Sequence, residues 1–333
     1  MRTVPLAWKL LLAALAALAP LLAIELGMRL ATGTPLLAHG NERSRYSLPD
    51  PVVGHRPRAG IVLRMEDGAS ITTLEHGTRS NGTQAAPAAR PLAVATGDSF
   101  AFGDGVSDHE SWPAVFEQLS GYRVINGGVP GYGVDQAVLR AEQLAAVYEP
   151  QLIVLGFIPH DVLRCEMSYW SGHPKPYFEI DGSALRLHPP PVPPQDAAAR
   201  LRRLLSASFA LSRLAPTAVG WEGPRELVVH RQGREVACRL MERLAALGRT
   251  RRAQLIVLAH PQQPTSPPEH HEIKDALLAC ARAQGLLALD LFPAIEALPE
   301  AQRVELFPRH LTAEGYRLVG SELARFVAEN ARR

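Results

Sequence analysis

The sequence has few cysteines and no excess of charge of one sign, and each shortage excludes a class of protein. Its three cysteines, Cys165, Cys238 and Cys280, are too few and too scattered for a disulfide scaffold or a CxxC zinc site. The 35 basic and 33 acidic residues leave a formal charge of +2 without a basic block, which argues against nucleic acid as a partner. With 47% hydrophobic residues, the remaining composition is that of an ordinary globular protein.

Long apolar runs are also scarce, and the one that stands out lies at the N-terminus. Leu10–Ile24 is uncharged and would rise about 22 Å as a helix, short of a hydrocarbon core of about 30 Å. Val4–Trp8 is apolar too, and Lys9 can extend its ammonium to the interface, so we predict a span from residue 4 to about residue 26. Pro20 follows the small-residue site at 17–19 and hinders cleavage there.

These features predict that residues 1–30 form an uncleaved signal anchor. A removed signal peptide and a buried helix of a soluble protein are the alternatives. The basic residues Arg2 and Lys9 precede the apolar run, which keeps the N-terminus in the cytoplasm and places the rest of the chain outside. In an exported chain a Cys238–Cys280 disulfide is permitted.

Beyond residue 90, short apolar segments alternate with helical patterns. The predicted strands are mostly apolar throughout, as in a sheet covered on both faces, and lie at 91–96, 123–126, 151–157, 251–259 and 286–291. The predicted helices between and after them lie at 112–119, 134–148, 273–283 and 312–329, the last with Thr312 as its N-cap. This alternation predicts an α/β fold with a mainly parallel sheet.

Two segments depart from the alternation. Residues 31–90 form an irregular lead-in with strand-like stretches at Gly60–Arg64 and Ser70–Leu74. Within the domain at 91–333, residues 165–250 begin with an aromatic, irregular part and a polyproline-prone linker, followed by predicted helices at Ala197–Leu214 and about Leu227–Leu247. We interpret 165–250 as an insertion that either covers the edge of the sheet as a lid or only fills space.

Three predicted strands end in segments suited to catalysis, and ligands on open α/β sheets bind at the carboxyl ends of strands. Ser99 lies in Gly97–Phe100 (GDSF), on a turn between strand and helix, where a hydroxyl can act as a nucleophile. The glycines of Asn126–Gly133 (NGGVPGYG) let a backbone amide approach an oxyanion closely. The third segment is Gly156–Asp161 (GFIPHD), and His310, just before the last helix, is a candidate general base for Ser99.

With these four blocks in this order, the chain resembles the SGNH/GDSL-type hydrolases, in particular a membrane-anchored bacterial branch found among cell-envelope and polysaccharide proteins. The resemblance extends over YSLPDPVVGHRP at 46–57, GDSF and AFGDGV at 97–106, NGGVPGYG, LGFIPHD at 155–161 and HLTAEGYRL at 310–318. It implies a three-layer α/β/α, flavodoxin-like fold. It also implies ester hydrolysis or acyl transfer through an acyl-serine.

The resemblance implies a role for each residue that matches a family position. Ser99 would be the nucleophile, supported by Asp98, and His310 the base. The amides of Ser99 and Gly131 would line the oxyanion hole. The family normally has Asn, the third oxyanion donor, directly before Asp161; His160 stands there and offers one N–H when neutral.

The acid that usually precedes the family's histidine by two or three residues is missing. Pro308 and Phe307 occupy those positions, and Glu305 and Asp290 are the carboxylates nearest to fitting the role. A Ser–His dyad, a relocated acid and a lapsed catalytic site are the three hypotheses that remain.

The expected function is therefore that of an envelope-anchored esterase or O-acyltransferase. Its substrate would be an acyl ester, acetyl in the first instance, of a polysaccharide, and its location the bacterial inner membrane with a single span and the domain facing the periplasm or cell exterior. The alternative is a lapsed protein that binds a glycan or partner. No cofactor is expected, and Glu269–Glu272 (EHHE) is interpreted as a solvated helix start and not as a metal site.

Overall fold

The computed structural model describes residues 5–32, 46–64, 68–82, 90–192, 197, 201, 204–205, 208–214 and 226–330. The chain divides into two compact units, Met1–Ser47 with Pro193–Pro224, and Leu48–Val192 with Arg225–Arg333. The helices are α1 Leu6–Thr32, α2 Ser99–Phe102, α3 Trp112–Leu119, α4 Val134–Tyr148, α5 Pro159–Leu163, α6 Phe209–Leu214, α7 Gly233–Arg251, α8 Pro268–Ala283, α9 Phe292–Glu296, α10 Glu300–Leu306 and α11 Ala313–Asn330. The strands are β1 Ser47–Asp50, β2 Gly54–Pro57, β3 Val62–Arg64, β4 Ser70–Thr72, β5 Leu92–Thr96, β6 Arg123–Asn126, β7 Leu152–Phe157, β8 Met167–Trp170, β9 His173–Pro174, β10 Tyr177–Asp181, β11 Ala184–His188, β12 Leu227–Val228, β13 Gln254–Ala259 and β14 Leu287–Asp290.

The first unit contains α1 and α6. The Glu25 carboxylate of α1 accepts hydrogen bonds from the Phe209 and Ala210 amides at the start of α6, both at 2.8 Å, and so satisfies N–H groups that a helix start leaves unpaired. Among the described residues, none of the helices combines the length and the hydropathy that a membrane span requires. The anchor predicted at 1–30 stays a prediction.

The second unit is built on a five-stranded sheet in the order β14-β13-β7-β5-β6. All four neighbouring pairs are parallel. In chain order this is the 2-1-3-4-5 arrangement of flavodoxin-like folds, whose order reverses between the first and third strands, here β5 and β7. The α/β architecture predicted from the sequence is therefore confirmed, and the switch between β5 and β7 is where a ligand site is expected.

Side chains of alternate strand residues enter two separate cores, as the two-residue period of a strand requires. Val94, Ile153 and Val257 face a core with α4, α7 and α8. Ala95, Val154 and other residues on the opposite face lie in a core with α3 and α11. Helices therefore cover both faces of the sheet, which gives the three layers predicted.

The segment before the sheet belongs to this second unit from residue 48 onward, and Arg79 joins it to the end of α2. β3 and β4 pair antiparallel, which confirms the two strand-like stretches. Arg79 is 1% exposed and donates to the carbonyls of Phe102 and Gly103 at the end of α2, and to Asp108. These carbonyls lie at the C-terminal end of the short helix that begins with Ser99, so Arg79 satisfies them and stabilises that helix.

The interpretation of 165–250 needs correction. Residues 169–181, predicted as irregular, lie in β8 to β10, and β11 continues the strands to His188; β8 pairs with β9 and β10 with β11, as suits aromatic side chains. The helix predicted at about 227–247 begins at Gly233 as α7, and its buried residues are part of the core, so it is a layer of the domain and not a lid. Only α6 of the helix predicted at Ala197–Leu214 is described continuously; most of the rest lies outside the described residues.

A disulfide joins two of the covering helices. Cys238 in α7 and Cys280 in α8 are bonded, with their Cα atoms 5.3 Å apart. This is the pair that the sequence permits. Cys165 is free and buried.

Candidate active site

Ser99 lies at the first position of α2, directly after β5, where the sheet order switches. Asp98 is the N-cap, and its carboxylate accepts the Phe100 amide at 2.9 Å. Gly97 has φ of +148°, and a Cβ there would lie 2.4 Å from the Gly156 carbonyl of β7. The GDSF block therefore has a glycine that allows close approach to β7, a cap that fixes the turn, and a serine that is buried to 8% exposure at the start of the helix.

His310 reaches Ser99 from the loop before α11. Its Nε2 lies 2.9 Å from the Ser99 Oγ, and its ring packs 5.0 Å from the Phe100 ring, centroid to centroid. Leu311 is buried next to it, and a Cβ on Gly315 would lie 2.6 Å from the Leu311 side chain. The HLTAEG block thus combines the histidine with a buried anchor and with the glycine that leaves room for that anchor.

The structure brings neither predicted acid to His310. Asp290 accepts from Lys274 Nζ at 2.7 Å and from the Phe292 amide at 3.0 Å, so its two oxygens bind residues of α8 and α9. Glu305 is exposed on α10. Among the described residues no carboxylate hydrogen-bonds His310, so neither Glu305 nor Asp290 orients its ring in this structure, and the geometry shows a Ser–His pair.

The oxyanion side of the site is formed by the loop after β6. The Val129 amide donates to the Gly97 carbonyl at 3.0 Å, which ties this loop to the turn that carries Ser99. Gly131 has φ of +86°, a region that favours glycine, and a Cβ there would lie 3.3 Å from Trp170. Within the described chain, the Ser99 and Gly131 amides donate to no protein acceptor, so both are available to a substrate oxygen.

His160 lies on α5, after β7, and belongs to a buried charged cluster. Arg164, one turn further along, approaches His160 Nδ1 to 3.3 Å and donates to Asp161 at 2.5 Å and to the Tyr132 carbonyl at 2.7 Å. It also lies 3.5 Å from the Asp98 carboxylate. One guanidinium therefore joins the nucleophile turn, the loop of Gly131 and the third block.

Burial sets the protonation of this cluster. It lowers the pKa of His160 to about 4, with help from the positive charge of Arg164, so the imidazole is neutral at neutral pH. Burial and the neighbouring Asp98 carboxylate raise the pKa of Asp161 well above its usual value, against the effect of Arg164. Asp98 and Asp161 thus share a single cation in a low-dielectric region.

Two contributors to the site were missed by sequence reasoning. Arg164 lies four residues after His160 and three after Asp161, a helical spacing that would have identified it. Trp170, in β8, has no such signal, because only the folding of the predicted insertion brings it 4.9 Å from the His160 ring, centroid to centroid. Phe100 is buried, and its ring also packs against the rings of His310 and His260.

Nothing in the described residues suggests a metal centre. No cluster of three or more His, Cys, Asp or Glu side chains there could hold an ion. In the EHHE segment, Glu269 and Glu272 pair with Arg234, while His271 lies 3.2 Å from Glu296.

No family model matches this chain, and no curated protein matches it either. Solved structures that resemble it include a protein named as a G-D-S-L family lipolytic protein from Desulfitobacterium hafniense, 18% identical over 70% of this chain and 98% of that one, with a TM-score of 0.42. The psychrotrophic esterase EstA from Pseudoalteromonas sp. is 11% identical over 73% of this chain and 99% of that one, with a TM-score of 0.42. Axe2, an acetylxylan esterase from Geobacillus stearothermophilus, is 14% identical over 71% of this chain and 93% of that one, with a TM-score of 0.41.

At these scores the likeness carries no functional argument, so the function has to be inferred from the geometry of the site. The solved structures found similar to this chain include proteins named as G-D-S-L family and SGNH hydrolases and an acetylxylan esterase.

Proposed function

We propose that this protein is a serine ester hydrolase or O-acyltransferase. One observation carries the proposal: His310 Nε2 lies 2.9 Å from Ser99 Oγ, at the strand switch of a parallel α/β sheet. A histidine nitrogen within hydrogen-bond reach of a serine hydroxyl is the arrangement that activates serine as a nucleophile.

In the proposed reaction, Ser99 Oγ attacks the ester carbonyl carbon while His310 Nε2 takes the hydroxyl proton. The negative charge that forms on the carbonyl oxygen is stabilised by the amides of Ser99 and Gly131 and by the imidazole N–H of His160. Collapse of the tetrahedral intermediate breaks the ester bond, and His310 returns its proton to the departing alcohol. Water, or a second hydroxyl in a transferase, then attacks the acyl-serine by the same steps.

The proposal extends to the substrate and the location. We expect a short acyl group, acetyl first, because the Trp170 indole lies against Gly131 and His160 and narrows the space beside the proposed oxyanion hole. A glycan as the acyl-bearing molecule is expected from the family branch that the sequence resembles. The Cys238–Cys280 disulfide suits an oxidising compartment, in support of a domain outside the inner membrane, held there by residues 1–30.

The first test is covalent labelling. The purified chain is treated with a fluorophosphonate, and the product is examined by intact mass and peptide mapping, with Ser99→Ala as the matched control. One adduct per chain at Ser99, absent in the control, establishes an activated nucleophile. Ester hydrolysis is then measured on p-nitrophenyl esters of increasing chain length and on O-acetylated glycans, with the acetyl esters expected to react fastest.

A second function has one observation in its favour. Because no described carboxylate holds His310, the site could be a lapsed one that only binds a glycan or a partner protein. A folded sample that takes up no fluorophosphonate at Ser99 and hydrolyses no ester would contradict the enzyme and support this alternative. Glycan-binding measurements on the same sample would then identify the ligand.

A further inference from the structure

We infer that Arg164 is a positioning residue that holds His160 in the tautomer whose Nε2–H donates to the oxyanion. The inference rests on the proposed function and deepens it, because it assigns a task to a side chain that touches neither substrate nor nucleophile. It concerns the block at 155–161, in which His160 stands where the family that the sequence resembles has an asparagine.

The chemistry of the two groups fixes the direction of their hydrogen bond. A guanidinium has only donors, so the contact of 3.3 Å between Arg164 Nη2 and His160 Nδ1 is favourable only if Nδ1 offers its lone pair. A neutral imidazole with a lone pair on Nδ1 has its hydrogen on Nε2. This Nε2 makes no hydrogen bond within the described residues, so its N–H remains available to a substrate oxygen.

Arg164 can impose this choice because it is itself held in place. The bonds from its Nη1 to Asp161 and to the Tyr132 carbonyl are the short ones, and its guanidinium carbon lies 4.9 Å from the centroid of the Trp170 ring. Its side chain is only 8% exposed. Rotating Nη2 away from His160 would therefore disrupt two charge-assisted or buried hydrogen bonds and one aromatic contact.

The same arrangement disfavours a doubly protonated ring. An imidazolium would point a second N–H from Nδ1 at the Arg164 guanidinium, donor against donor and cation against cation. The other charged or titratable groups that act on the ring are Asp98, which favours the cation, and His270, which opposes it. A neutral ring with a fixed tautomer is thus the state that the surroundings select.

A histidine needs such a partner where an asparagine does not. An amide has donors and acceptor at chemically distinct atoms, whereas a neutral imidazole can carry its hydrogen on either nitrogen. If His160 supplies the third oxyanion donor, a device that fixes the hydrogen on Nε2 is required, and Arg164 is placed to provide it. The Tyr132 carbonyl, which Arg164 also binds, comes directly after Gly131 in the chain, so one side chain aligns two donors.

The direct test reads the tautomer and needs no catalysis. Two-bond ¹⁵N–¹H spectra of the ¹⁵N-labelled full-length chain distinguish the two neutral tautomers and the cation, and His160→Ala identifies the signals of His160. We expect Nε2–H between pH 5 and 8 in the wild-type protein. A His160 ring with its hydrogen on Nδ1, or a cation in this range, would overturn the inference even if every Arg164 variant failed to fold.

The kinetic test separates positioning from a merely structural role. Arg164→Met is expected to lower kcat/KM about 10- to 100-fold, as loss of an orienting partner does elsewhere. In a His160→Ala background the same substitution should change kcat/KM less than about twofold, because the residue through which it acts is gone. Equal losses in both backgrounds would show that Arg164 serves only the fold.

Arg140→Met is the matched control, since Arg140 is another buried arginine, 2% exposed, on the neighbouring helix α4. It should leave the His160 tautomer unchanged whatever it does to stability. The two levels of proposal fail differently. An unlabelled Ser99 in the wild type contradicts the enzyme, whereas a labelled Ser99 with the wrong tautomer or with equal losses contradicts only the role of Arg164.

Discussion

The base side and the oxyanion side of the site hold their histidines in opposite ways. His310 hydrogen-bonds Ser99 and packs on Phe100, but no described carboxylate orients its ring. The Arg164 guanidinium lies against one ring nitrogen of His160, and two buried carboxylates, Asp98 and Asp161, hold that guanidinium in place.

The difference shows where this site keeps its order. In a serine–histidine–acid triad the buried carboxylate fixes the base in the right tautomer and stabilises its cation. Here the buried carboxylates fix an arginine on the far side, and that arginine acts on the oxyanion donor. We therefore expect a site with good stabilisation of the oxyanion and a weakly supported base, and substitutions on the two sides should have unequal effects.

The largest loss should come from the base side. His310→Ala removes the proposed acceptor of the Ser99 proton and should lower kcat about 10⁴-fold, less than the roughly 10⁶-fold loss for the histidine of a full triad, because this base starts without an acid. Single-turnover kinetics on an activated acetyl ester, with Ser99→Ala as the reference for zero catalysis, would measure it. A loss below about tenfold would mean that another group takes the proton. It would contradict the expectation that the base side has the larger effect on kcat.

A smaller loss should come from the oxyanion side. His160→Ala removes one donor and should lower kcat about 10²- to 10³-fold, whereas His160→Asn restores an amide donor and should remain within about tenfold of the wild type. Steady-state kinetics on the same ester would give both values, and kcat should fall more than KM rises. Equal activity of the alanine and asparagine variants would show that position 160 supplies no donor.

Much of this site is local in sequence, and that part could be predicted. GDSF, NGGVPGYG and HLTAEG each place a functional group on a turn together with the glycine or buried anchor that the turn requires, so short-range geometry determines them. The order of strands and helices, with apolar strands throughout, likewise determined a parallel sheet covered on both faces.

What could not be predicted depends on long-range packing. Trp170 reaches His160 only because residues 167–188 fold into hairpins, and aromatic residues spaced irregularly gave no period from which to infer strands. Asp290 is the last residue of β14 and so lies at the carboxyl ends of the strands, where the site is, yet its carboxylate forms an ion pair with Lys274 on α8. Which charge a carboxylate meets is decided by neighbours distant in sequence, so neither candidate acid could be tested before the fold was known.

A gain of activity on the base side would test the same contrast from the other direction. Pro308 is exposed two residues before His310, at a position where the hydrolases that the sequence blocks resemble have an acid. Pro308→Asp should raise kcat about tenfold if an unsupported base limits the reaction, because a carboxylate there favours the imidazolium that forms in the transition state. Pro308→Asn is the matched control for loss of the proline ring. An equal change of kcat in both variants would show that the carboxylate is not the cause.

The smallest effect concerns stability and arises from the neutral His160. Its pKa is lowered from 6.5 to about 4 in the folded protein. Between pH 6.5 and 4 the imidazole is therefore protonated in the unfolded chain and neutral in the folded protein. The wild type should therefore lose free energy of unfolding relative to His160→Asn as the pH falls from about 6.5 to about 4, with no further divergence at lower pH. Because the ring is only partly buried, we expect a difference of about 1 kcal/mol, less than the full shift implies. Urea unfolding of both proteins at several pH values measures it. A wild type that gained stability relative to the variant over this range would show that the folded site stabilises the imidazolium. That result would contradict the role proposed for Arg164, which requires a neutral His160 ring.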